Sequence, residues 1–134
     1  MCTMKQACDK LGITYETLRF YCDEGLVPNV KRDKNNYRDF DENNLTWING
    51  LQCLRQCGMS IKDMKKYLQL CLEGKESIPD RKVMLQVQKE ILMKKAAEIQ
   101  ESMDYIDNKQ VFYNEVLSGE REYTSALIKT DKSS

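Results

Sequence analysis

Six cysteines and no histidine define the reactive side chains of this sequence. Cys2, Cys8, Cys22, Cys53, Cys57 and Cys71 lie in helical patterns and do not space out like a disulfide framework, so they read as free thiols of a reducing cytoplasm. Cys53 and Cys57 stand one helical turn apart, a spacing that two metal ligands can use. Two thiolates without a histidine leave a zinc site incomplete, and neither metal nor another cofactor is expected. A thiolate can also be alkylated or oxidised. The competing reading of each cysteine, Cys53 included, is a small apolar residue in the core. The lack of histidine removes the commonest general base. With no nucleophile elbow, phosphate loop or paired-carboxylate motif either, an enzyme is not expected.

The second set of functional groups is cationic. Lys plus Arg and Asp plus Glu both number 21, so the net charge is zero. Residues 1–38 carry seven basic and five acidic side chains. A phosphate-binding surface must therefore arise from geometry rather than from a charge run. Lys31, Arg32 and Lys34 crowd one polar stretch. No apolar segment approaches the roughly 20 residues of a membrane helix, and Met1-Cys2-Thr3-Met4-Lys5-Gln6 has no apolar signal core. A cytoplasmic chain without a membrane partner is expected.

The elements that must position these groups are punctuated by glycines. Residues 5–11 read as a short helix with Ala7, Cys8 and Leu11 on one face, ended by Gly12. Ile13 is an apolar plug and Thr14 an N-cap. A second helix from about Tyr15 to Asp23 offers Leu18, Tyr21 and Cys22 to the core and stops at Gly25. Helix, glycine turn and helix within about twenty residues form the outline of a helix-turn-helix. The second helix of such a unit enters the major groove by its N-terminal end, which places Thr14, Tyr15 and Thr17 near base edges or phosphates. Phe20 is expected in the core.

Leu26-Val27-Pro28 reads as extended chain, Asn35-Asn36 as a hairpin tip, and Tyr37-Arg38-Asp39-Phe40 as a returning strand. Together 26–40 form a β-hairpin wing, with Lys31 and Arg32 near phosphate or simply solvated. Asp41 caps a helix over 42–57 carrying Leu45, Ile48, Leu51, Cys53, Leu54 and Cys57, ended by Gly58. Ser60 caps another over 61–73, with Ile61, Met64, Tyr67, Leu68, Cys71 and Leu72 inward, ended by Gly74. Lys62, in its first turn, suits a phosphate. From Pro79 nothing breaks the helical pattern until Gly119, a rod of roughly 60 Å at 1.5 Å per residue. Leu85, Leu92, Ile99, Ile106 and Tyr113 recur every seven residues, with Ala96, Met103 and Leu117 four residues after members of that row. Lys89 and Gln110 interrupt the second row. Such a seam wants a partner helix, so a coiled-coil dimer is expected. The organisation is thus a DNA-binding domain over 1–74, a dimerisation helix over 75–118 and a polar tail over 119–134.

Thr-Leu-Arg-Phe-Tyr at 17–21, Glu-Gly-Leu-Val-Pro at 24–28, Tyr-Arg-Asp-Phe at 37–40 and Leu-Arg-Gln-Cys-Gly-Met-Ser at 54–60, in that order, resemble the MerR family. The resemblance implies a mainly α protein, a winged helix-turn-helix domain joined to a long helix that pairs as an antiparallel coiled coil. It implies a homodimer on a promoter pseudo-palindrome, bending and untwisting duplex DNA so that widely spaced promoter elements realign for RNA polymerase. It assigns phosphate contact to Arg19, a phosphate bond from the Tyr21 hydroxyl as an alternative to core packing, and backbone contact to Tyr37 and Arg38. Cys22 departs from the acid common after the aromatic pair, and Asn36 from a wing-tip glycine. Asn36 still tolerates the left-handed turn.

The segments 38–41, 47–55 and 58–61 are similar to the branch of the family that answers reactive aldehydes and other electrophiles, and Cys53 falls at that branch's sensing cysteine. Cys22 and Cys57 are weaker sensor candidates. Metal sensors of the family place cysteines at the start and far end of the dimerisation helix, and here no cysteine follows Cys71. A drug-sensing domain has no room in the fifteen or so residues after the helix, although a pocket between domains would serve a small ligand. The rival from another class is a coiled-coil adaptor that uses 79–118 for partners and binds no specific DNA.

Overall fold

The computed structural model describes residues 1–130. Its elements are α1 (Met4–Leu11), α2 (Tyr15–Asp23), β1 (Lys31–Arg32), β2 (Arg38–Asp39), α3 (Glu42–Gln56), α4 (Ile61–Glu73), a 3-10 turn (Lys75–Ser77) and α5 (Ile78–Ser118). The chain divides into two compact units, one from Met1 to Leu92 and one beginning at Met93.

In the first unit the helix boundaries follow local chemistry. Thr3 and Gln6 form a capping box at α1, and Gly12 closes that helix at φ 64°. The Thr14 hydroxyl accepts from the Thr17 amide at 3.1 Å and starts α2. Asp41 and Asn44 form a second capping box at α3, and Ser60 accepts from the Asp63 amide at α4. The core gathers the inward faces of all four helices: Ala7, Leu18, Leu26, Phe40, Ile48, Leu51, Met59 and Met64 are at most 1% exposed. The first turns of α5 belong to this unit. Buried Gln88 donates from Nε2 to the Cys57 carbonyl at 2.7 Å, and Arg81 reaches Ser77 and the Gly74 carbonyl.

The wing is smaller than the sequence indicates. β1 and β2 pair antiparallel, Lys31 with Asp39 and Arg32 with Arg38. The tip is built on Asp33, whose carboxylate accepts from the Asn35 and Tyr37 amides at 2.8 and 3.0 Å, and Asn36 takes φ 67° as expected. Residues 26–28, expected as a strand, have no strand partner. Leu26 and Val27 are both buried, and Asn29 turns the chain at φ 64°. The Trp47 indole holds this segment by donating to the Leu26 carbonyl at 2.7 Å. The returning chain instead pairs with the N-terminus. The Cys2 and Phe40 amides exchange hydrogen bonds with each other's carbonyls at 2.7 and 2.8 Å. Cys2 is therefore a bridge residue rather than a helical one.

Three further expectations are corrected. Cys53 is exposed, not core. Phe20 is 44% and Leu72 56% exposed. The reason is angular for the first two: at about 100° per residue, both point away from the faces that bury Leu18, Ile48 and Leu51.

In the second unit α5 runs on to Ser118, and Gly119 at φ 87° reverses the chain. The Arg121 guanidinium then lies 3.2 Å from the Glu115 carboxylate and 5.4 Å from the Phe112 ring centroid. The start of the polar tail is thus turned back against the last turns of α5 at Arg121. The last four residues of the expected 119–134 tail lie outside the described residues. No helix among the described residues is long and apolar enough to cross a membrane.

Candidate nucleic-acid interface

The outward face of α2 carries Tyr15, Glu16, Arg19 and Phe20, all exposed, with Thr14 at the cap and Thr17 partly buried beside it. Thr14 and Thr17 also share a hydroxyl–hydroxyl bond of 2.8 Å. The first-turn amides and a tyrosine 54% exposed therefore stand at the free end of a helix whose other face, through Leu18 and Tyr21, is locked into the core. That is the geometry by which a helix presents its N-terminal end to a groove. Tyr21 differs from its neighbours. It is 3% exposed, and burial pushes its hydroxyl pKa up, so its ring is a core element.

The wing is tied to α2 through one acid that sequence reasoning passes over. Asp23 lies 3.6 Å from the Arg19 guanidinium and accepts from Arg38 at 2.9 Å. An acid four residues after Arg19 is the available signal, since that spacing brings both onto one helix face. One residue on, Glu24 accepts from Lys65 at 2.8 Å, which joins the end of α2 to the first turns of α4. Arg19 and Arg38 thus meet at one point, and Lys62, exposed, stands one turn before the lysine that reaches α2. Lys31, Arg32 and Tyr37 are exposed on the hairpin. Arg32 is partly committed, donating to the Asn36 carbonyl at 2.9 Å. Cations and tyrosines are thus exposed on α2, the hairpin and α4 of a chain of zero net charge, and these are residue types able to contact phosphate.

Cys53 sits behind this face. With Gly12, Thr14, Thr17 and Tyr21 it lines an open cavity of about 640 Å³ between the start of α2 and α3. Arg55, also on the cavity wall, gives one guanidinium N–H to the Met59 carbonyl at 3.0 Å. Cys57 is only half-buried, and among the described residues no three Cys, Asp or Glu side chains converge as a metal site. Cys22 is half-buried, and its burial raises the thiol pKa despite the nearby Arg38. The expected seam residues of α5 are unevenly placed. Leu85, Ile99, Met103, Ile106, Tyr113 and Leu117 are between 40% and 85% exposed, Ala96 is exposed and Leu92 half-buried.

Comparison with known proteins agrees with this architecture. Residues 2–71 match the MerR HTH family of regulatory proteins. An uncharacterised HTH-type transcriptional regulator of Haemophilus influenzae is 38% identical over 83% of this chain and 82% of its own length. The HTH-type transcriptional regulator AdhR of Bacillus subtilis is 39% identical over 60% of this chain and 57% of its own. Among solved structures, HiNmlR, a MerR family regulator lacking the sensor domain and bound to promoter DNA, superposes with a TM-score of 0.75 at 36% identity, covering 87% of this chain and 89% of that one. A MerR family regulator from Listeria monocytogenes gives 0.80 at 30% identity, covering 91% and 92%. These relatives are regulators of transcription, not enzymes. With a helix-turn-helix, a short wing and a long C-terminal helix in family order, and a match over more than half its length, this chain belongs to the MerR family of transcriptional regulators.

Proposed function

We propose that the chain works in the cytoplasm as a homodimer that binds promoter DNA. The N-terminal end of α2 enters the major groove, and Arg19, Lys31, Arg32, Tyr37, Arg38 and Lys62 hold the backbone on either side. Thr14, Tyr15 and Thr17 stand at the groove end of α2, with Tyr21 supporting from the core. Two such domains, held apart by paired α5 helices, bend and untwist the duplex for RNA polymerase. The observation that carries this reading is the outward face of α2, capped by Thr14 and free of intramolecular cover. The promoter-bound state of HiNmlR supports it. An Arg19→Ala variant is expected to bind the chain's own promoter about tenfold more weakly and to lower the salt slope by about one, since one phosphate contact is lost. A gel-shift series in salt reads both. An adaptor that merely dimerises would show no sequence-specific shift in the parent protein.

The exposure of Cys53 favours a thiol-sensing role within the same function. An electrophile that accepts the Cys53 thiolate adds a substituent to the cavity that Thr14 and Thr17 share, next to the groove-facing end of α2. The likeness to AdhR supports the same branch. In a brief pulse of N-ethylmaleimide, Cys53 is expected to be modified first, partly buried Cys22 later and buried Cys2 last, as read by peptide mass spectrometry. In a reporter strain Cys53→Ser is expected to abolish the response to added aldehyde. An unchanged response overturns the sensing role and leaves the DNA-binding role standing.

A further inference from the structure

The second unit contains a cavity that neither DNA binding nor thiol chemistry uses. The chain reversed at Gly119 lays residues 123–127 beside the last turns of α5 and leaves an open space of about 670 Å³ between them. Its walls are Tyr105, Phe112 and Tyr113 from the helix and Tyr123 and Leu127 from the tail, with Lys109 among the rings. The Phe112 and Tyr113 rings are tilted by 58° to each other with centroids 5.6 Å apart. The Lys109 ammonium lies 5.9 Å from the Tyr105 centroid. Among the described residues that line the space, Lys109 carries the one charge, and no carboxylate faces it.

We propose that this cavity binds a small planar aromatic anion, an aromatic carboxylate or phenolate. The rings of Tyr105, Phe112, Tyr113 and Tyr123 give the cavity aromatic walls against which a planar apolar body can pack. The exposed Lys109 ammonium, with no acid among the lining residues, favours an anion over a cation. The volume lies within the range of about 300–1,000 Å³ that small-molecule sites occupy. In a dimer the site adjoins the seam and shares Tyr113 with it. At about 100° per residue, Tyr105, Lys109 and Phe112 lie on a stripe of α5 roughly a third of a turn from the Ile99, Ile106 and Leu117 seam, with Tyr113 between. The start of the tail is held from outside the cavity by Arg121, whose guanidinium lies over the Phe112 ring and pairs with Glu115. This inference does not depend on the DNA-binding reading.

The test is calorimetric titration of the full-length protein with 2-naphthoate, and in parallel with 2-naphthamide, its uncharged counterpart. Naphthoate is expected to bind once per chain with a Kd on the order of 0.1 mM, and the amide about tenfold more weakly. Lys109→Gln, on an exposed helix position and expected to keep the native circular dichroism, should bring the two affinities together. Tyr123→Ala, which removes a tail wall, should weaken both ligands alike. Absence of saturable binding overturns the proposal. So does an acid-to-amide ratio that Lys109→Gln leaves unchanged. If naphthoate does not bind but Tyr123→Ala shifts the monomer–dimer equilibrium, the cavity is a contact between subunits and the proposal falls.

Discussion

A protein carrying both Ile99→Asp and Ile106→Asp is expected to sediment as a monomer and to lose promoter affinity by at least about a hundredfold. Ile99 and Ile106 are 60% and 57% exposed on a helix that offers them no intramolecular cover. Two carboxylates at one seam would have to be buried unpaired in any helix pair, at a cost of several kcal/mol, whereas the monomer leaves them solvated. The fold of the first unit should survive, because neither residue lies within it. DNA binding falls because each half-site is then held by an independent domain, without the effective concentration that a linked second domain supplies. Sedimentation equilibrium and a gel shift on the same preparation check both parts. A variant that stays dimeric at micromolar concentration removes the seam from the assembly.

The second large effect is on stability. Phe40→Ala is expected to cost about 3–5 kcal/mol, a large share of the roughly 5–15 kcal/mol that a domain of this kind possesses. Phe40 is fully buried, and its backbone exchanges two hydrogen bonds with Cys2. The cavity would open where the wing, the N-terminus and the helical core meet. Urea unfolding followed through Trp47 should show the midpoint falling sharply. Trp47 is well placed to report, since its indole bonds to Leu26 at the base of the wing. A change under about 1 kcal/mol would mean that the site collapses around the smaller side chain.

Much of this fold was legible because its helix ends are chemically marked. Thr14, Asp41 and Ser60 accept amide bonds at the starts of α2, α3 and α4, and Gly12 terminates α1 in the left-handed region. The wing was less so. Leu26 and Val27 look like a strand by residue type, yet both are buried, and the carbonyl of Leu26 goes to a tryptophan distant in sequence. A strand needs a partner, and the partner of this sheet edge, Cys2, lies almost forty residues away. Cys53 and Phe20 were misplaced for another reason. Residue type argues for burial, whereas helical phase puts each opposite the buried face, and phase wins because packing acts on faces. The tail pocket left no signal in the periodicity, since it depends on a reversal at Gly119 and on Arg121 finding Phe112 and Glu115. The role of Asp23 required knowing that Arg38, fifteen residues on, arrives beside it.

That shared carboxylate has a thermodynamic consequence. Arg19 and Arg38 already carry a resident counter-anion, so in the proposed complex a DNA phosphate would have to displace Asp23 rather than meet a bare guanidinium. Such partly solvated pairs are individually weak, worth about 0–1 kcal/mol, but the exchange subtracts from every duplex alike. Random DNA, which offers phosphates and nothing more, gains least. An equal subtraction leaves the margin of a site whose base edges also suit Tyr15 and its neighbours as it was, so what internal neutralisation would lower is the time the protein spends on non-specific duplex.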